Sequence, residues 1–149
     1  MRYEAPDSVK AAATLLAKEK GAAFVLAGGT DLLVKMKGGF LEPDLIVDIK
    51  RIKGMHDIKK SSTGFRIGAA VPGVALGEHA ALVKAWPGVV EAANLIGSKQ
   101  VQGRCTMAGN LCNASPAADS VPALIAARAM ATIVGPNGRR EIQVEDVVT

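Results

Sequence analysis

Apolar positions recur at helical spacing just after Pro6-Asp7-Ser8: Val9, Ala12, Ala13, Leu16 and Ala17 fall on one face. The Asp-Ser pair is a helix-start signal and Gly21 supplies a C-terminal stop, so this stretch predicts an amphipathic helix. A short continuous apolar run, Ala23 to Ala27, then reads as a buried strand. The Gly28-Gly29 turn follows. Thr30 is placed to cap a short helix holding Leu32, Leu33 and Met36, which Gly38-Gly39 ends. Pro43-Asp44 leads into a second buried strand, Leu45 to Ile49. Helix, strand, glycine turn, helix and strand describe a small α/β lobe with a right-handed crossover.

The pattern changes at Lys53-Gly54, which reads as a junction between a first lobe, residues 1–54, and a second, residues 55–149. Met55 to Lys59 and Phe65 to Ala69 are strand-like and antiparallel, with Ser61-Ser62-Thr63-Gly64 as the turn. Val71-Pro72-Gly73 breaks the strand. Val74 to Ala85 and Pro87 to Ile96 predict two helices, with Pro87 well placed at a first helical position. Gly97 to Cys105 reads as irregular, and so does the segment after it. Asp119-Ser120 is expected to cap a helix whose apolar set includes Val121, Leu124, Ile125 and Met130, with Pro122 in its first turn. Ala131 to Val134 and Glu141 to Val144 predict a hairpin around Pro136-Asn137-Gly138.

Composition narrows the class without fixing a function. The 149 residues are 49% apolar and 21% charged, an ordinary globular balance. No apolar run approaches the roughly 18 residues of a membrane span. Met1-Arg2-Tyr3-Glu4 has no signal-peptide h-region, so the expected location is cytoplasmic. The net charge of +4 is dispersed and aromatic residues make up only 3%, so there is no stacking platform for single-stranded nucleic acid. The two cysteines, Cys105 and Cys112, are expected to be reduced, and they are too few for a zinc or iron–sulfur site. Cys112 reads as a small buried filler. His56, in an expected strand, and His79, in an expected helix, lie beside no pattern for nucleophilic catalysis and read as surface or structural residues.

Two stretches carry the candidate chemistry. The first is Ala27-Gly28-Gly29-Thr30-Asp31, a glycine pair between a strand and a helix start, where free backbone N–H groups favour an anion. It has neither the G-x-G-x-x-G spacing nor the Gly-Lys-Ser/Thr of a P-loop, so alone it is equally a tight turn. The second runs from Thr106 to Asp119: Thr-Met-Ala-Gly-Asn-Leu-Cys-Asn-Ala-Ser-Pro-Ala-Ala-Asp. Gly109 permits close backbone approach, and Thr106, Asn110, Asn113 and Ser115 are hydrogen-bond donors. Asp119 is either a helix N-cap or a group for ligand hydroxyls. The two stretches are expected to face each other and hold one phosphate-bearing cofactor. With no general acid/base pair in the chain, any chemistry comes from that cofactor.

Val25-Leu26-Ala27-Gly28-Gly29-Thr30-Asp31-Leu32-Leu33 followed by the Thr106–Asp119 segment resembles the FAD-binding domain of the molybdenum hydroxylases, the family of xanthine dehydrogenase and of the medium subunit of aerobic carbon monoxide dehydrogenase. The resemblance covers nearly the whole chain. It implies an α+β, two-lobed FAD-binding fold of the vanillyl-alcohol oxidase and molybdopterin dehydrogenase type, and FAD as cofactor. It also implies that Val25, Leu26, Ala27, Gly28, Gly29, Thr30, Asp31 and Leu32 wrap the pyrophosphate and adjoining groups. Thr106, Ala108, Gly109 and Asn110 would contact the pyrophosphate from the other side. Asp119 would bind ribityl or ribose hydroxyls, and Ile96 would lie against the isoalloxazine. No metal ligand is implied on this chain. Ala108 stands where the family's Thr-x-Gly-Gly-Asn motif has glycine, which is tolerable if its φ is negative. Cys105 stands where Gly or Ala is common.

The function implied is electron transfer. An iron–sulfur subunit would deliver electrons through FAD to NAD, a quinone or oxygen, while substrate is oxidised on a molybdopterin-binding subunit. The family's C-terminal lobe is absent from these 149 residues. The alternatives are a free-standing flavin oxidoreductase of the same superfamily, or a non-catalytic docking module that does not hold FAD.

Overall fold

The computed structural model describes residues 1–148. It opens on a strand that the pattern did not predict: β1, Arg2–Glu4, is short and half polar and lies at a sheet edge. Helix α1, Val9–Lys18, starts where expected. Ser8 is its N-cap and accepts from the Ala11 N–H at 3.3 Å, and Ala12 and Ala13 are buried. Strand β2, Ala23–Leu26, leads into the glycine turn and then α2, Leu32–Lys37. Thr30 does not cap this helix; Asp31 holds the N-cap position and its side chain makes no capping bond. Strand β3, Leu45–Asp48, is buried at every position because it is the centre of a parallel sheet ordered β1-β3-β2, covered on both faces. Tyr3 pairs with Ile46, and Val25 with Val47.

Beyond the sheet, β4, Ile58–Lys60, and β5, Phe65–Ile67, form the expected antiparallel pair. His56 lies in the turn before β4 rather than in a strand. The single helix expected over 74–85 is two, α3, Gly73–Glu78, and α4, Ala80–Ala85. His79 makes the break: with φ −85° and ψ 88° it leaves the helix, and its Nδ1 accepts the Leu82 N–H at 3.1 Å as the cap of α4. The His79 ring meets the Phe65 ring edge-on at 5.8 Å. Helix α5, Pro87–Ala93, follows, with proline in its first turn.

The stretches expected to be irregular are partly helical. Helix α6, Lys99–Gln102, lies within 97–105, and α7, Met107–Cys112, occupies the start of the Thr106–Asp119 segment. The small polar composition hid α7. Thr106 caps it by accepting from the Gly109 N–H at 2.9 Å, and Met107 and Leu111, four apart, are buried on one face. Cys112 at its end is exposed, not a buried filler; Cys105, before it, is buried. Helix α8, Val121–Ala126, has Ser120 rather than Asp119 at its N-cap. Met130 belongs not to that helix but to β6, Met130–Gly135, which pairs with β7, Gly138–Gln143, across the predicted turn. Val144 ends the hairpin in a 3-10 turn, Val144–Asp146.

Two apolar clusters hold these elements. One gathers Ala12, Leu45, Val47, Ile49 and Ile52, and takes in Met55 and Ala69 from beyond Gly54. The other gathers Val71, Leu76, Leu82, Val89, Val90, Ala93 and Met107. Strand β6 packs against α1, so the C-terminal hairpin returns to the N-terminal half.

Candidate functional site

The site begins at the carboxyl end of the parallel sheet, where β2 ends and the chain turns through Ala27–Asp31. Gly28 has no alternative there. A Cβ on it would lie 2.0 Å from the Arg104 carbonyl oxygen and 3.1 Å from Cys105 Cα, so two backbones touch at this point. Gly29 has φ +82°, the left-handed region that glycine occupies freely. The Arg104-Cys105 backbone is held from its other side as well, since the Cys105 carbonyl accepts the Gly73 N–H at 2.8 Å. A second junction lies further along: Asn113 Nδ2 donates to Asp31 Oδ1 at 3.1 Å, and Lys35 Nζ donates to Asn113 Oδ1 at 2.7 Å. The glycine turn thus meets the later part of the chain at two places, the Arg104-Cys105 backbone just ahead of the second stretch and Asn113 within it.

Between the junctions lie backbone donors without partners. Among the described residues, the N–H groups of Gly28, Gly29, Thr30, Asp31, Met107 and Ala108 donate no hydrogen bond. A cleft of about 280 Å³ opens over the first turn, lined by Leu26, Gly28, Gly29, Thr30, Leu33, Lys50 and Arg104. A smaller one of about 70 Å³ adjoins it, where His56, Ala70 and Pro72 face Gly28, Lys50 and Arg104. Among the described residues no carboxylate lines either cleft, while Lys50, Arg104 and His56 do.

Lys50 is fixed by its neighbours. Its Nζ donates to Asp48 Oδ2 at 2.7 Å and to the Ala27 carbonyl at 3.2 Å. Tyr3 donates its hydroxyl to the same Asp48 oxygen at 2.5 Å, and the Lys50 N–H reaches Asp48 Oδ1 at 2.9 Å. Burial pushes the Asp48 carboxyl up, but the Lys50 ammonium and the Tyr3 hydroxyl outweigh it and hold the group below its usual value. That hydrogen bond to the carboxylate, with burial, raises the Tyr3 hydroxyl. Burial also pushes up the Cys105 thiol, which is poorly suited to act as a nucleophile.

Over residues 1–149 the chain matches the family described as FAD binding domain in molybdopterin dehydrogenase. The chain belongs to that family. It is 36% identical over 140 residues to the carbon monoxide dehydrogenase medium chain of Hydrogenophaga pseudoflava, a match covering 94% of this chain and 49% of the relative. It is 32% identical over 146 residues to subunit alpha of the 6-hydroxypseudooxynicotine dehydrogenase complex of Paenarthrobacter nicotinovorans, covering 98% of this chain and 49% of that one. Its fold superposes on a solved carbon monoxide dehydrogenase from Hydrogenophaga pseudoflava with a TM-score of 0.93 at 34% identity, covering all of this chain and 52% of that one. The α+β FAD-binding fold implied by the resemblance is therefore the fold of this chain, which spans about half the length of these relatives.

The residues present fit the family's cofactor. A dinucleotide with a pyrophosphate bridge needs close backbone approach, unpaired N–H donors and positive charge, and the joined turns offer all three. Of the expected site residues, Leu26, Gly28, Gly29 and Thr30 line the cleft, with Val25, Ala27, Asp31 and Leu32 flanking it. Thr106, Ala108, Gly109 and Asn110 share the first turn and a half of α7. Ala108 is in right-handed helical conformation, so its methyl group is accommodated. Ile96 lies half-buried in the turn after α5, and Asp119 is exposed in the loop before α8; neither lines the cleft. Asn110 has a task of its own: its Oδ1 accepts from the fully buried Ser120, from Oγ at 2.7 Å and from N–H at 3.1 Å. Lys50, Arg104 and His56 were missed. Lys50 follows the central strand at the carboxyl end, where α/β sheets place their ligands, but its placement at the cleft depends on Asp48 and Ala27, which no local pattern shows. Arg104 sits just ahead of the Thr106 motif, and only the fold reveals that it touches Gly28.

Proposed function

We propose that this chain holds FAD as part of an electron-transfer subunit or domain of a molybdenum-containing hydroxylase or dehydrogenase complex. Electrons would arrive from an iron–sulfur partner and leave to NAD, a quinone or oxygen, with substrate oxidation on a molybdopterin-binding partner, in the cytoplasm. When bound, FAD supplies the redox chemistry; this chain supplies binding and orientation. The observation that supports the reading is the contact of Gly28 with the Arg104 backbone, which sets the cleft over the first turn beside the segment that leads into α7, each with unpaired N–H groups. In this reading Gly28, Gly29 and Thr30 hold one side of the pyrophosphate and the start of α7 the other. Asn110 offers its amide N–H, while Ile96 and Asp119 serve the flavin ring and the ribityl or ribose hydroxyls. We also read the chain as two lobes, 1–54 and 55–149, with the apolar cluster of the first packed against Met55 and Ala69 of the second.

The test is to load the chain with FAD, reduce it chemically under anaerobic conditions, and mix it with NAD, a quinone or oxygen while following the visible flavin absorbance. The reading predicts that at least one acceptor reoxidises the bound flavin at a rate different from that of free reduced FAD. Identical rates for bound and free flavin with every acceptor would count against an electron-transfer role.

A further inference from the structure

We propose that Lys50 and Arg104 are the residues by which this site selects a diphosphate, so that it discriminates a diphosphate-bridged dinucleotide from an uncharged flavin. The inference rests on the reading of the cleft as an FAD site and names what in it reads charge. Both residues line both clefts that meet at Gly28. They come from different parts of the fold, Lys50 from the end of the central strand β3 and Arg104 from the turn before α7, so they flank the glycine turn from two sides. Arg104 is exposed, and among the described residues it has no carboxylate within 4.0 Å. Its guanidinium is therefore available to an anion.

Lys50 is the positioned member. Asp48 and the Ala27 carbonyl fix its ammonium beside the backbone that leads into Gly28. Tyr3 shares the Asp48 oxygen, so that carboxylate is partly satisfied without Lys50. The ammonium has a third N–H to give. Among the described residues no acidic side chain lines the cleft, so Asp48, which pairs with Lys50, is the one carboxylate an anion there must share a cation with. A guanidinium and an ammonium from two segments that border one cleft suit two linked phosphates better than one.

Calorimetric titration of the purified chain with FAD, riboflavin and ADP tests this, using wild type, Arg104→Gln, Lys50→Gln and the double variant Asp48→Asn/Lys50→Gln. The double variant avoids leaving the Asp48 carboxylate buried without its cation, and circular dichroism checks each fold. The expected result is that Arg104→Gln and the double variant each weaken FAD and ADP by about tenfold, the loss expected for one charged hydrogen bond. Riboflavin should be unaffected, and added salt should weaken FAD less in the variants than in wild type. Variants that fold and bind FAD and ADP as tightly as wild type would overturn the proposal. ADP binding without FAD binding by wild type would instead sink the FAD reading while leaving a diphosphate site, so the two failures are distinguishable.

Discussion

Replacing Gly28 by alanine is the sharpest perturbation that the fold offers. The added Cβ would lie 2.0 Å from the Arg104 carbonyl oxygen and 2.8 Å from its carbon, where ordinary contact begins at 3.4 Å. The neighbouring atoms are backbone and cannot rotate away. The two turns must separate by about 1.4 Å, and the Arg104-Cys105 backbone is pinned behind by the Gly73 hydrogen bond. Overpacking of this kind costs about 1–3 kcal/mol. For a domain near this size, at roughly 3 °C per kcal/mol, the melting temperature should fall by about 3–9 °C. The same displacement spreads the donors of the two turns, so FAD affinity should fall by at least about tenfold, or 1.4 kcal/mol. Thermal melting and flavin titration measure the two effects. Gly88→Ala is the control: it lies in the first turn of α5 with nothing within 4 Å of its Cβ, and stability should stay within about 0.5 kcal/mol of wild type. A Gly28→Ala protein with unchanged melting temperature and unchanged affinity would refute the contact between the turns.

Other consequences follow from named contacts. Asn110→Asp keeps an acceptor for Ser120 but removes the amide donor and adds a negative charge, so it should retain stability and weaken FAD, as titration would show. Asn110→Ala should also destabilise the fold by about 1–3 kcal/mol in urea melts, because it orphans the buried Ser120 hydroxyl. The folded Asp48 carboxyl lies below its unfolded value of about 3.9, so its contribution is present above that pH and lost as pH falls through the folded value. Asp48→Asn should therefore flatten the acid limb of a stability–pH profile; an unchanged acid limb would contradict the Tyr3–Asp48–Lys50 network. Leu82→Ala, in α4 at 1% exposure, should cost about 2–5 kcal/mol by urea denaturation.

How much of this was legible in the sequence depended on which force shaped each element. Strand β3 and α1 could be read because burial writes itself as apolar runs or helical spacing: Leu45 to Val47 is a run, Val9 to Ala17 a stripe. The run from Ala23 is a strand too, but not the buried one expected, because β2 lies at the sheet edge with only Leu26 buried and Val25 exposed. Strand β1 could not, since an edge strand of three residues with Arg2 and Glu4 carries no such signal. Helix α7 was hidden by Gly109 and Asn110, poor helix formers whose places are set by the Thr106 cap and by burial of Met107 and Leu111. The break at His79 depends on a side chain accepting a backbone N–H, which periodicity does not encode. At the site, the two motifs were legible as motifs, and their mutual approach was a correct expectation. The cations were not. Lys50 was read only as part of a dispersed basic surface, because nothing local shows that Asp48 and Ala27 turn it toward the cleft.

The central claim is that two joined turns hold FAD. Titrating the purified chain with FAD, and following the quenching of flavin fluorescence, tests it directly. Saturable binding with one flavin per chain is expected, lost or sharply weakened in Gly28→Ala. Absence of saturable binding by the folded wild-type chain, or equal binding by the alanine variant, would contradict it.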